Sequence, residues 1–163
     1  MERFQEEAEK ANKAVRIADH MLTQSYPLIN DPKLLLAVID NLYNAVQSGI
    51  RAVLYHERLF KQIPPFSENF EAMYVVFKNR HRGKEVTEEY FTLVDTLQEI
   101  VYFHKKSPLE FVRKDKFVIC SDNYRMRTIG LDEIKRIMQR SKQFISICGK
   151  MVEKHERIPH RSI

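Results

Sequence analysis

The sequence predicts an all-α protein: a five-helix up-and-down bundle around a long central second helix, with a small β-hairpin inserted before the last helix. Apolar residues recur at helical spacing through most of the chain, and four Gly and six Pro leave few turns for an all-β fold. The apolar period changes to two only over about 111–129. At 163 residues the chain is long enough to bury a core without metal or disulfide support. We therefore expect one domain over 1–156 and a frayed basic tail over 157–163.

The central helix is predicted from Asp31 to Ile63. Asp31 is a suitable N-cap, and Pro32 fits the first helical position because its missing N–H has no intrahelical partner there. Pro64 and Pro65 cannot continue the helix. The apolar positions at helical spacing are Leu35, Val38, Ile39, Leu42, Val46, Ile50, Val53 and Phe60. Further apolar residues beside this stripe widen it beyond one face, which is typical of a helix surrounded by neighbours.

The other helices follow from capping residues and breakers. They are predicted over Arg3 to about Ser25, from Ser67 to Gly83, from Thr87 to Ser107-Pro108, and from near Asp132 to the basic tail. Pro27 and the Asn30-Asp31-Pro32 turn should separate the first helix from the second, so that the two form an antiparallel hairpin.

The β-hairpin is predicted from VRKDKFVIC and YRMRTIG, joined by a turn at SDN. Because side chains alternate along a strand, Tyr124, Met126 and Thr128 share one face of the second strand and Arg125 and Arg127 share the other. We expect the Tyr124 and Met126 face to pack on the bundle.

The positive charge lies mainly in the last third of the chain. Residues 102–163 carry 15 Lys/Arg against 7 Asp/Glu, a balance of +8 in a chain whose total is +5. An anionic partner is therefore expected there. The candidate nucleic-acid-binding residues are Arg113, Lys114, Lys116, Arg125 and Arg127, which make the hairpin a basic ribbon that can follow a phosphate backbone. The alternatives are an ordinary solvated surface and charge that protects an exposed strand edge.

A polar strip runs along the central helix at steps of three and four residues. Its members are Asp40, Asn44, Gln47, Arg51, Tyr55 and Arg58. Such side chains can hydrogen-bond to or stack on a base or a phosphate, although any solvated helix face contains them too.

The segment NLYNAVQSGIRAVLYHERL and the helix order resemble small HEPN-domain proteins of prokaryotes. The resemblance implies a helical bundle, homodimerisation and, in many members, metal-independent ribonuclease activity at a dimer cleft lined by an Arg and a His four to six residues apart. Other members lack the motif and bind nucleotides or partner proteins. Arg51 and His56 match that spacing here and are the candidate catalytic residues. The chain departs from the family's pattern in two ways. Ala52 stands where the nucleases carry a polar residue, and the match lies deep inside the central helix.

The five helical steps between Arg51 and His56 turn them by roughly 140° around the axis, so one straight helix does not place both on one face. The structural alternative is that His56 is a core histidine near Phe60. As an enzyme, the protein would need His56 as acid or base and Arg51 to hold a phosphate.

A basic cluster at the end of the third helix, Arg80-His81-Arg82, has two interpretations. Cations are favoured near helix C-termini, so it is predicted to serve solubility and the helix dipole rather than a site.

No sequence feature points to a metal or a cofactor. Cys120 and Cys148 form no C-x-x-C pair, and neither a phosphate-binding glycine loop nor a hydrolase motif occurs. No apolar run approaches the roughly 20 residues of a membrane span. We expect a cytoplasmic protein that engages RNA or a nucleotide as a HEPN-like homodimer. The alternatives are a protein–protein interaction module and, third, an endoribonuclease using Arg51 and His56.

Overall fold

The computed structural model describes residues 1–106, 111–113, 116–120 and 126–156. Within them the predicted architecture is confirmed: a helical bundle surrounds a long second helix, and a small antiparallel β element precedes the last helix. The elements are α1 (Arg3–His20), a π-helical turn (Met21–Ser25), α2 (Tyr26–Ile29), α3 (Lys33–Leu59), α4 (Phe70–His81), α5 (Glu88–Lys106), β1 (Phe111–Arg113), β2 (Lys116–Cys120), β3 (Met126–Gly130) and α6 (Leu131–Glu156). The predicted tail over 157–163 lies outside the described residues.

The first helical segment extends further than predicted. A π-helical turn continues α1 without a break into α2, so Pro27 lies inside the helical segment. Proline inside a helix removes one N–H and its ring crowds the preceding turn, and the wider π-helical turn just before Pro27 accommodates both effects. The segment ends where Asn30 adopts a left-handed conformation with φ of 53°.

The central helix α3 is the core of the bundle. Its buried residues cover most of its circumference, because it packs against α1, α4, α5 and α6. The side chain of Asp31 accepts a hydrogen bond from the Lys33 amide at 3.0 Å. The helix ends at Leu59, earlier than the predicted Ile63, because Lys61 is left-handed with φ of 57°.

The end of α3 is a Schellman motif. The amide of Gln62 donates to the carbonyl of Glu57 at 2.8 Å, and the amide of Lys61 donates to the carbonyl of Arg58 at 3.0 Å. This motif turns the chain sharply away from the helix and holds the last turn of α3 in a fixed position.

The third helix begins later than predicted. Asn69, rather than Ser67, is the N-cap of α4, and its side chain accepts a hydrogen bond from the Glu71 amide at 2.8 Å. Gly83, with φ of 74°, takes up the predicted left-handed conformation just after the helix ends.

The β element has three antiparallel strands in the order β1-β2-β3, because the first predicted strand is divided between β1 and β2. Phe117 and Ile119 of β2 are buried and stand opposite Ile129 and Arg127 of β3. Residues paired across two strands share a face, so Arg127 lies on the side that faces the bundle.

The predicted assignment of the two faces of β3 is therefore wrong. Met126 is 70% exposed, whereas Ile129, which has the same strand parity as Arg127, is completely buried. Burial of Ile129 against Phe117 determines which face packs inward. Tyr124 and Arg125 lie outside the described residues.

Helices α3 and α6 cross closely at Gly49. A Cβ atom built on Gly49 would lie 3.0 Å from the Ile145 side chain and 3.4 Å from Cys148 Sγ. The same contact explains why the Cys148 thiol is enclosed, and burial raises its pKa far above the usual value. A residue without a side chain at position 49 therefore sets the distance between the two helices.

We expect Gly49→Val to lower the free energy of unfolding by about 1–3 kcal/mol, because the added methyl groups meet α6. The control is Gly149→Ala on α6, where an added Cβ meets nothing within 4 Å. That variant should gain up to about 1 kcal/mol from helix propensity. Urea denaturation measures both, and a Gly49→Val protein as stable as the parent would show that the crossing is loose.

Candidate functional site

A buried carboxylate lies in the last turn of α3. The Glu57 side chain is 4% exposed, and its two oxygens meet two different side chains of α4. Arg80 Nε donates to Glu57 Oε2, and His81 Nε2 lies 2.5 Å from Glu57 Oε1. A buried carboxylate is tolerated only when paired and hydrogen-bonded, and this one is paired with α4 through both oxygens.

His81 connects Glu57 with a second carboxylate. Its Nδ1 lies 2.9 Å from Glu85 Oε2, on the loop that follows α4. Backbone bonds shape this loop, since the amide of Gly83 donates to the carbonyl of Val86 at 3.0 Å. The imidazole thus bridges a buried carboxylate and one that is 47% exposed.

Burial and hydrogen bonding act on the pKa values of this cluster in opposite directions. Burial lowers the pKa of His81, and the hydrogen bond with Glu85 offsets part of that effect. Burial raises the pKa of Glu85, but hydrogen bonds with His81 and with its own backbone amide outweigh burial and hold the pKa below the usual value. Glu85 is therefore ionised at neutral pH.

A pocket of about 340 Å³ opens beside this cluster, and we call it the Glu57 pocket. Its polar lining includes Glu57, Arg80, His81 and Glu85, together with His56 and Gln62. Val53, Met151 and Val152, from α3 and α6, form an apolar side. A pocket of this size is at the lower limit for small-molecule sites.

A second concave surface lies between α5, β3 and α6, and we call it the basic groove. Its volume is about 200 Å³, and it is lined in part by Arg127, Arg136 and Arg140, with the hydroxyl side chains of Thr92 and Thr96 on the α5 side. Arg136 and Arg140 are one helical turn apart on α6, which places them on the same face.

The three arginines of the basic groove differ in their partners. Arg127 is held by Glu133 at 3.0 Å and by Glu99 at 3.4 Å. Arg136 and Arg140 are exposed and form no ion pair with another residue in the described part of the chain. Two guanidinium groups are thus available to an anion beside a third whose position is fixed by carboxylates.

The structure does not bring the predicted basic ribbon onto one face. Lys116 is exposed on the outer face of the sheet, whereas Arg127 faces the bundle. The side chains of Arg113, Lys114 and Arg125 lie outside the described residues. A role for these five residues in nucleic-acid binding stays a prediction, and Arg127 contributes to the basic groove.

The predicted polar strip of α3 is interrupted by contacts within the chain. Asp40 and Gln47 are half-buried, Asn44 is exposed, and Tyr55 is only 6% exposed. Tyr55 accepts a hydrogen bond from Arg3 at 3.0 Å.

Aromatic and cationic side chains cover the end of this strip. The guanidinium of Arg58 lies 5.0 Å from the ring centroid of Tyr55 and 4.7 Å from that of Phe66. These cation–π contacts use the side chains that a base would otherwise stack on.

Arg51 and His56 have separate environments. The guanidinium of Arg51 lies 5.5 Å from the ring centroid of Phe70, at the start of α4. His56 is 1% exposed, and its ring lies 4.8 Å from that of Phe4 and 4.7 Å from that of Phe60. His56 also contributes to the wall of the Glu57 pocket, whereas Arg51 does not. Their catalytic role stays a prediction, and the packing of His56 matches the structural alternative.

The sequence analysis did not identify Glu57 or the contacts that Arg80 and His81 make with it. A signal was present, because Glu57 follows Ile50 by seven residues and Val53 by four, which places a charge on the apolar stripe of α3. Such a residue requires buried partners, and the basic residues after Phe77 supply them.

Arg136 and Arg140 were missed for another reason. Their spacing of four was visible, but the opposing residues of α5 and β3 become neighbours only in the folded bundle.

We expect Glu57→Gln to lower the free energy of unfolding by roughly 2–3 kcal/mol, because it removes the charge that Arg80 and His81 compensate. The control is Glu88→Gln, which breaks an exposed pair with Arg82 at 2.9 Å. That change should cost less than about 1 kcal/mol. Thermal and urea denaturation compare the two variants, and equal losses would show that the buried cluster contributes no more than a surface pair.

No protein-family model, curated protein or solved structure matches this chain. Among the described residues no group of His, Cys, Asp and Glu side chains is arranged to hold a metal ion. In the same part of the chain no helix has the length and apolarity needed to cross a membrane.

Proposed function

We propose that this protein is a HEPN-like binding module that holds phosphate groups of RNA or of a nucleotide in the basic groove. The observation that carries the proposal is the presence of Arg136 and Arg140, exposed and without carboxylate partners in the described part of the chain, in one concave surface with Arg127. Arginine is suited to phosphate because its planar fork can donate two parallel hydrogen bonds.

Two further features of the basic groove support a phosphate ligand. The ion pairs of Arg127 with Glu99 and Glu133 hold its guanidinium in place before a ligand arrives, which reduces the entropy lost on binding. Thr92 and Thr96 add hydroxyl groups, which donate to phosphate oxygens in many nucleic-acid complexes.

The charge distribution of the chain agrees with this location. The excess of +8 after residue 101 includes all three groove arginines. Such an excess increases the association rate with a polyanion and makes the affinity depend strongly on salt.

The test is the electrophoretic mobility shift of a mixed single-stranded RNA pool at several salt concentrations. We expect binding by the parent protein that weakens as salt increases. Arg136→Ala/Arg140→Ala should weaken binding by about tenfold or more at low salt. It should also reduce the slope of log K against log salt by about 1.4, since each phosphate contact contributes about 0.7.

The matched control is Lys13→Ala/Arg16→Ala, which removes the same charge from an exposed part of α1. If both double variants lose affinity equally, the binding reports net charge and the groove assignment fails. If the parent protein binds neither the RNA pool nor free nucleotides, the proposed function fails. Cleavage of the RNA that disappears in His56→Ala would instead support the endoribonuclease hypothesis.

The homodimer and the protein partner also stay predictions. The residues most relevant to them are Leu28 and Ile29, which are 85% and 63% exposed at the end of α2. Light scattering of the parent and of Leu28→Glu tests whether this end of the bundle makes a contact between copies.

A further inference from the structure

We propose that the Glu57 pocket binds a free α-amino acid with an apolar side chain. This site is separate from the basic groove: it is formed by α3, α4, the loop after α4 and α6, whereas the groove is formed by α5, β3 and α6. The proposal therefore does not rest on RNA or nucleotide binding.

The carboxylate of Glu57 and the imidazole of His81 use their hydrogen-bonding atoms within the cluster. Both oxygens of Glu57 contact α4, one through Arg80 and one through His81, and both ring nitrogens of His81 contact carboxylates. These groups hold the pocket wall in shape, and they have little hydrogen-bonding capacity left for a ligand.

Arg80 and Glu85, at the outer side of the cluster, still have atoms that can hydrogen-bond to a ligand. Arg80 uses Nε for Glu57 and makes no other hydrogen bond within the described residues, so its Nη groups are available. Its side chain is 35% exposed. Glu85 contacts His81 through one oxygen and is 47% exposed. One wall of the pocket thus offers a cation and an anion together.

A zwitterion satisfies both groups at once. A ligand carboxylate can pair with the Nη edge of Arg80 in a bidentate arrangement, and a ligand ammonium can pair with Glu85. A simple anion would meet the repulsion of Glu57 and Glu85, and a simple cation would meet that of Arg80. Because the two partly exposed groups are one cation, Arg80, and one anion, Glu85, a small ligand that carries both charges can pair with each of them.

The apolar part of the lining favours an apolar ligand side chain. Val53 and Val152 are 2% and 7% exposed and present an apolar surface, to which Met151 adds a flexible thioether chain. Methionine adapts its shape to different apolar groups. A pocket of about 340 Å³ accommodates one small molecule rather than a peptide segment.

The experiment is ligand-detected NMR and thermal unfolding of the full chain with each standard L-amino acid at millimolar concentration. We expect saturation transfer and a raised Tm with one or more apolar amino acids. The methyl ester and the deaminated acid of the same compound, each lacking one charge, should bind at least about tenfold more weakly. These analogues test the charge pairing without altering the protein.

The protein variant is Glu85→Gln, which keeps the size of the side chain and its hydrogen bond with His81. It should weaken amino-acid binding by about tenfold or more and leave RNA binding unchanged, while Glu88→Gln should alter neither. The proposal is overturned if no amino acid gives a signal, if both analogues bind as tightly as the parent compound, or if Glu85→Gln binds as well as the parent protein.

Discussion

The position of α4 on the central helix depends on one buried charge. Glu57 is buried at the end of α3, and an unpaired carboxylate there would cost several kcal/mol. Arg80 and His81 contact it from successive positions of α4, so these two side chains restrict the rotation of α4 about its axis. Apolar packing of Phe70, Met73 and Phe77 tolerates small rotations better than directional contacts with Glu57 do.

The two concave surfaces of the bundle are built on different physical principles. The Glu57 pocket pairs its polar groups with one another, because two carboxylates contact an arginine and a histidine. The basic groove keeps an excess of positive charge on the surface, where water solvates it at little cost. Burial explains this difference, since a charge excess is tolerated at an exposed helix face but not beside the core.

The bundle, its long second helix and the β element before the last helix were all predicted from periodicity and breakers, because these signals are local. Some helix ends differ from the predicted positions because another cap or a change of helix type was not visible in the sequence. Asn69 rather than Ser67 caps α4, and a π-helical turn lets the first helical segment continue past Pro27. The faces of β3 were misassigned because Met126 is apolar and was therefore expected in the core. The pairing of Ile129 with Phe117, which decides the inward face, joins two strands and cannot be seen from the alternation along β3 alone. Both pockets join residues of three or more elements, so no spacing along the chain could specify them.

The π-helical turn in the first helical segment also affects how this chain should be compared with any relative. Ala18, Leu22 and Tyr26 are all buried at steps of four, a spacing that a regular α-helix would rotate gradually away from α3. The wider turn at Met21–Ser25 holds one residue more and keeps both halves facing inward. A related sequence with one residue fewer at this point would therefore keep the same contacts with an ordinary α-helix, so a single alignment gap here would mark a change of helix type rather than a shortened loop.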